Sequence, residues 1–109
     1  MKYVKVAEAA SLSVGGKVKL TLEGHEIMLA RLDDGYYAIS NKCPHMGGSL
    51  ADGRLEGQNI ICPRHGSVFD VKTGKSVQGG KMAFIKFHVD NVTAYPVKTE
   101  GADVMVGIE

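Results

Sequence analysis

The sequence has no tryptophan, three prolines, two cysteines and no long apolar run. A membrane helix needs about 20 consecutive apolar residues, so we expect no membrane association. Thirteen Lys/Arg and twelve Asp/Glu give a formal net charge of +1, which lacks the positive excess that drives nucleic-acid binding. Lys2 and Lys5 place charge where a signal peptide would need apolar residues. We therefore expect one cytoplasmic domain spanning residues 1–109.

Glycine, by contrast, is abundant, with fourteen residues that include pairs at 15–16, 47–48 and 79–80. Frequent turn residues between short apolar runs are typical of all-β domains. The polar–apolar alternation of Lys17–Leu22 predicts a half-buried strand. Further strands are expected at 3–6, 25–32, 36–39, 59–61, 68–71, 92–97 and 104–106, with one helical turn within 7–12 and Phe84, Phe87 and Val89 as other strand candidates.

The strand periodicity stops between Ser40 and Gly57, and it stops again at 63–67. Both stretches are rich in Gly, Pro, Asn and Ser, which favour loops. Cys43 lies in the first break and Cys62 directly precedes the second. Because functional residues concentrate in loops on a rigid scaffold, we expect the functional site here.

Each of these loops pairs one cysteine with one histidine. The pattern is Cys43-Pro44-His45, sixteen intervening residues, and then Cys62-Pro63-Arg64-His65. Thiolate and imidazole are ligands for zinc or iron–sulfur chemistry rather than for calcium or magnesium. A disulfide and two inert buried thiols are alternatives, but neither explains a histidine after each cysteine. A structural Cys2His2 zinc site is the stronger alternative, although zinc-finger sequences usually pair cysteine with cysteine and histidine with histidine.

The two boxes, 43–48 and 62–70 followed by Thr73-Gly74, resemble the cluster-binding boxes of Rieske-type [2Fe–2S] ferredoxins. The strands on either side are similar in sequence and order. The resemblance implies an all-β Rieske fold of antiparallel sheets. In it, a small cluster-binding subdomain at about 41–70 is inserted in a β-sandwich or barrel-like base made of 1–40 and 71–109.

The same resemblance implies one Rieske [2Fe–2S] cluster per chain. Cys43 and Cys62 would hold one iron, and His45 and His65 would hold the iron that is reduced. Ser67, Gly47 and Gly66 would surround the cluster, the serine as a hydrogen-bond donor and the glycines by allowing close turns. His25 and His88 are expected to be surface or packing residues.

Three departures from the family pattern affect the expected properties. Gly48 and Arg64 replace the cysteines that form a disulfide between the loops in high-potential members, and Phe69 replaces a tyrosine donor. With Ser67 retained, we expect a potential at the low end of the roughly −150 to +300 mV Rieske range. The segment 78–94 also lacks the usual Gly-Pro cover, since its first part, 78–83, has no proline.

The function implied is that of a monomeric one-electron carrier between a reductase and a terminal oxygenase or other oxidoreductase, and not that of an enzyme. A small Rieske-like subunit of a nitrite reductase-type complex is an alternative, as is the zinc domain. A complete Rieske oxygenase needs a second, larger domain with its own iron site, for which 109 residues leave no room.

Overall fold

A computed structural model describes residues 1–44, 48–64, 66–79, 81–82, 85–86 and 89–109. The described chain is built of short antiparallel strands, as the sequence predicts for an all-β protein. No helix among these residues is long and apolar enough to cross a membrane. The strands are β1 Lys2–Glu8, β2 Lys17–Leu22, β3 His25–Leu32, β4 Gly35–Ser40, β5 Arg54–Glu56, β6 Asn59–Ile61, β7 Val68–Asp70, β8 Ser76–Gln78, β9 Lys81–Met82, β10 Ile85–Lys86, β11 Ala94–Tyr95, β12 Val97–Glu100 and β13 Asp103–Ile108.

These strands form three main sheets and one short hairpin. The base contains a three-stranded sheet in the order β1-β13-β12 and a four-stranded sheet in the order β11-β4-β3-β2. A second four-stranded sheet, β5-β6-β7-β8, follows the meander order of the chain and is called the small sheet here. Strands β9 and β10 pair with each other. Along the chain, strands β5–β8 of the small sheet lie between β4 and β11, which pair with each other in the other four-stranded sheet.

Strand β3 lies between two hydrophobic cores. Ile27 and Leu29 pack with Val104, Val106 and Ile108 of the base sheet. Met28 and Ala30, on the opposite face, pack in the core shared with the small sheet, which contains Cys43, Leu50, Ile60, Cys62 and Phe69. Because successive residues of a strand point to opposite faces, one strand contributes to both cores. This arrangement sets the two cysteine loops against the centre of the base.

The small sheet is also connected to the base through the turn between β7 and β8. Gly74 in this turn accepts a hydrogen bond from the Val92 amide at 2.8 Å. The next residue, Thr93, accepts one from the Ser40 amide at 2.9 Å, at the end of β4. The segment 89–94 therefore attaches the hairpin turn to the strand that precedes the first cysteine loop.

The structure corrects several predicted elements. Residues 54–56, predicted as loop, form β5, because Arg54, Leu55 and Glu56 pair with Ile61, Ile60 and Asn59. The single strand predicted at 92–97 is instead two strands in different sheets, since β11 pairs with β4 and β12 with β13. Pro96, which has no amide hydrogen, marks the change of sheet. The predicted helical turn is a 3-10 turn at Ala9–Ser11. Phe84 and Phe87 lie outside the described residues, and Val89 is in no strand.

Candidate metal centre

The two cysteines begin loops that are closed in the same way. The Cys43 amide donates to the Gly48 carbonyl at 2.8 Å, and the Cys62 amide donates to the Ser67 carbonyl at 2.8 Å. In both loops the bond therefore joins a cysteine to the residue five positions later. Cys43 follows β4 and Cys62 follows β6, so each loop starts from an anchored strand end. The two loops therefore begin and end with the same backbone hydrogen bond.

The two loops touch each other at Gly48. A Cβ atom built on Gly48 would lie 3.3 Å from the Cys62 Sγ and 2.9 Å from the Arg64 Cγ. Any larger side chain at position 48 would push against the second loop, so glycine permits this close approach. The structure thus brings both predicted boxes together although sixteen residues separate His45 from Cys62 in the sequence.

Both cysteine side chains face the interior. Cys43 is 2% exposed and Cys62 is 3% exposed, and both belong to the core that contains Ile60 and Phe69. The two are not joined as a disulfide, so that alternative is wrong. Two sheltered sulfur donors on adjoining loops are suited to a soft metal centre.

Ser67 is a buried residue at the end of the second cysteine loop. The residue is 2% exposed, yet its hydroxyl forms no hydrogen bond with the residues that the structure describes. Leaving a hydroxyl buried without a partner costs about 1–3 kcal/mol. Its carbonyl already closes the Cys62 loop, which places the hydroxyl at the metal-binding loop. A sulfide of an iron–sulfur cluster would be a suitable acceptor.

Gly66 allows the turn of the second loop. Its φ of +77° lies in the left-handed region, which glycine enters without penalty, and its amide donates to the Cys62 carbonyl at 3.2 Å. Three of the predicted site residues, His45, Gly47 and His65, lie outside the described residues. The structure therefore brings together Cys43, Cys62, Gly66 and Ser67 of the predicted set.

Asn41, which lies in the first predicted loop, anchors that loop. Its side chain is fully buried. The amide nitrogen donates to the Glu26 carboxylate at 3.0 Å and to the Ser49 hydroxyl at 2.9 Å, while its oxygen accepts from the Ala51 amide at 2.8 Å. Asn41 thus ties both ends of the first loop to the neighbouring β3. The sequence feature that could have indicated this role is the position of Asn41, two residues before a candidate ligand and at the end of a predicted strand.

The Asn41 contact also affects the acidity of its partner. The hydrogen bond from Asn41 lowers the pKa of the Glu26 carboxyl group, and the positive charges of Lys19 and Lys42 add to the effect. Both stabilise the charged carboxylate. Glu26 therefore remains an acceptor for Asn41 as the pH falls toward the normal titration range of glutamate.

A groove of about 440 Å³ lies at the other end of the small sheet, lined by residues that include Leu32, Leu55, Gln58 and Lys72. Lys72 donates to the Asp34 carboxylate across this groove at 2.8 Å, which lowers the pKa of Asp34 and raises that of Lys72. The groove adjoins the turn between β5 and β6, whereas Cys62 follows the opposite end of β6. It is separate from the metal centre.

His25 is exposed, with its Nδ1 3.5 Å from the Tyr95 hydroxyl, and His88 lies outside the described residues.

Comparisons with known proteins agree with this geometry. The family model of the Rieske [2Fe-2S] domain matches residues 2–96. The ferredoxin component of the naphthalene 1,2-dioxygenase system of Pseudomonas putida is 32% identical over 108 residues, which cover 99% of this chain and 97% of that protein. The ferredoxin of carbazole 1,9a-dioxygenase from Nocardioides aromaticivorans superposes with a TM-score of 0.86 at 31% identity, covering 100% of both chains. A third structure, described as a complex of reduced oxygenase and oxidized ferredoxin in carbazole 1,9a-dioxygenase, gives a TM-score of 0.79 at 27% identity over 95% of this chain and 91% of that one.

The chain belongs to the Rieske [2Fe–2S] domain family. Its cofactor is accordingly a Rieske-type [2Fe–2S] cluster, and the zinc alternative is set aside. The residues present fit this group, because two buried cysteines and a buried serine lie in the same pair of adjoining loops.

Proposed function

We propose that this protein is a Rieske ferredoxin that carries single electrons to a terminal oxygenase. The observation that supports this most directly is the pair of matched loops, each closed by a cysteine amide and joined at Gly48. Relatives that align with almost the whole chain are ferredoxin components of dioxygenase systems, and one similar structure is a complex of ferredoxin with an oxygenase.

The proposed ligands are Cys43 and Cys62 on one iron and His45 and His65 on the other. The burial of both cysteines on adjoining loops supports the sulfur half of this set. The histidines follow the cysteines by two and three residues, within the loops that the amide–carbonyl bonds close. When bound, the cluster supplies a site that accepts and releases one electron. Ser67, Gly47 and Gly66 would line this site.

The proposal also covers the redox partners, the oligomeric state, the cellular location and the domain division. The donor would be a reductase and the acceptor an oxygenase, so the catalytic site would belong to the partner and not to this chain. We propose that the carrier acts as a monomer in the cytoplasm. The division into a cluster-binding subdomain at 41–70 and a base also remains a proposal, supported by the separate pairing of the small sheet.

A redox titration of anaerobically purified protein tests the proposed function. We expect iron and acid-labile sulfide in equal amounts, with two of each per chain, and one electron taken up per chain. Rapid mixing of the reduced protein with an oxidised terminal oxygenase from the same organism should then oxidise the carrier and reduce the oxygenase. A chain that takes up no electron, or that stays reduced beside every such oxygenase, would contradict the proposal.

Replacing Ser67 with alanine should lower the reduction potential. A hydroxyl that donates to the cluster stabilises the more negative reduced form, and Phe69, which is fully buried, carries no hydroxyl to compensate. If the difference between the two redox states is about 1–2 kcal/mol, the potential falls by roughly 40–90 mV, since 59 mV corresponds to a tenfold change for one electron. Direct voltammetry measures the shift. Ser76→Ala, which removes a half-buried hydroxyl from β8, is the matched control and should leave the potential nearly unchanged.

A further inference from the structure

Charge is distributed unevenly along this chain. Residues 41–89 contain seven Lys/Arg and three Asp/Glu, whereas the remainder contains six Lys/Arg and nine Asp/Glu. The net charge of the whole chain is close to zero, but the segment 41–89, which contains both cysteine loops, is positive. The remainder of the chain is negative. Such an asymmetry orients a protein in the field of a charged partner.

Two of these positive charges lie beside the loops themselves. Lys42 directly precedes Cys43 and forms an isolated bridge with Ser49. The Arg64 stem packs at Gly48, next to Ser49 and within the second loop. Both side chains belong to exposed residues. Lys42 and Arg64, together called the basic tip here, therefore flank the place where the two loops meet.

The basic tip differs from two other cations in the same segment, each of which has a close acidic partner. Lys72 is 2.8 Å from the Asp34 carboxylate, and Arg54 is 2.8 Å from that of Glu56. Among the described residues, neither Lys42 nor Arg64 lies within ion-pair distance of a carboxylate. Glu26, which Lys42 influences, is engaged by Asn41 at 3.0 Å and by Lys19 at 3.6 Å. The charge of the basic tip thus remains available to an external partner.

We infer that the basic tip is a docking surface for an acidic patch on the redox partner protein. This inference rests on the proposed function, because electrons pass efficiently only when the partner approaches the metal-binding loops. Opposite charges at the rim of a small interface increase the rate of association and select the orientation. Exposed Pro44 and Pro63, each directly after a cysteine, add rigid apolar surface to the same two loops. An interface of this kind suits a transient electron-transfer encounter.

The first test compares two charge-matched double variants of the cluster-loaded protein. Lys42→Gln/Arg64→Gln removes the basic tip, and Lys17→Gln/Lys75→Gln removes two positive charges elsewhere that, among the described residues, likewise have no carboxylate within ion-pair distance. Lys75 is in the turn after β7, at the opposite end of that strand from Ser67, and Lys17 begins β2 of the base. Binding of poly-L-glutamate, as an acidic polypeptide probe, is measured by calorimetry at low salt. We expect roughly tenfold weaker binding for the tip variant and less than twofold weakening for the control.

The second test asks whether the same charges act at the site of electron transfer. Each reduced variant is oxidised by ferricyanide, a small anion, in stopped-flow experiments at several ionic strengths, with the rate corrected for the measured potential. The tip variant should react several-fold more slowly at low salt, and this difference should vanish at high salt because ions screen the charges. Equal effects of the two double variants in both tests would overturn the inference, since only net charge would then matter. That outcome would leave the proposed function intact, because the control protein would still exchange electrons.

Discussion

Replacing His45 or His65 with alanine should yield a protein that has lost the EPR signal of a reduced Rieske centre. Each substitution would remove one of the two proposed nitrogen ligands, which distinguish a Rieske centre from an all-cysteine cluster. Cys43→Ala and Cys62→Ala should go further and yield protein with little or no iron, because each removes a thiolate and leaves a cavity in the core that holds both cysteines. Metal analysis, the visible spectrum and EPR of the dithionite-reduced protein measure these effects.

The matched control for the histidine variants is His25→Ala. His25 is exposed at the start of β3, and its ring contacts Tyr95, so its removal should preserve iron content and the EPR signal. An unchanged signal in His45→Ala or His65→Ala would contradict the proposed ligand set. Loss of iron in His25→Ala as well would mean that the protein loses its cluster through general instability.

Replacing Gly74 with alanine should destabilise the protein strongly. The new Cβ atom would lie 2.2 Å from the Val92 carbonyl oxygen, and the residue has a φ of +77°. A clash with backbone cannot be relieved by rotating a side chain, so the turn must separate from the segment 89–94. We expect a loss of about 3 kcal/mol or more, equivalent to a fall in Tm of roughly 12 °C or more. Circular dichroism of the cluster-loaded protein under anaerobic conditions measures the Tm.

Gly57→Ala separates backbone strain from the clash. Gly57 also has a positive φ, +60°, but nothing lies within 4 Å of the Cβ that would be added. Its substitution should cost only the strain of a left-handed residue, about 1 kcal/mol, or roughly 4–8 °C in Tm. A similar fall in Tm for both variants would show that the contact between the turn and Val92 is not important for stability.

The alternation of residues predicted β2 and β3 well, and the reason is physical. In Lys17–Leu22, Leu20 and Leu22 pack against the base core whereas Val18 is exposed, and the partner strand β3 begins after a tight turn. In β3, however, both faces are buried, and residues 27–30 are all inaccessible. A continuous apolar run indicates burial on two sides, but the sequence does not say which cores lie there. The contacts of the small sheet and of β13 supply that information.

The missed strand β5 shows the limit of local patterns. Arg54-Leu55-Glu56 has one apolar residue between two charged ones. This pattern does not distinguish a short strand from a loop. It becomes a strand because β6 offers it a partner. The same applies to β8, which pairs with β7 through an irregular register. Short strands of this kind are determined by pairing with a neighbouring strand rather than by propensity.

For the metal centre, the spacing of cysteines and histidines carried most of the information. Ligand chemistry restricts which residue types can serve, so Cys43 and Cys62 stood out in a chain with only two cysteines. Asn41 did not stand out, because asparagine is common in loops and its role depends on Glu26, fifteen positions earlier. Supporting residues of this type are recognisable only when the fold has brought their partners together.

The position of β3 between two cores limits how this protein can change length. Insertion of one residue near Met28 would reverse the facing of every residue that follows within the strand. Ala30 would then turn toward the core that contains Val104 and Val106, and Leu29 toward the core that contains Cys43 and Cys62, so both cores would receive side chains of the wrong size. Natural variation in the number of residues should therefore accumulate in the turns at either end of this strand, while the strand itself keeps its count.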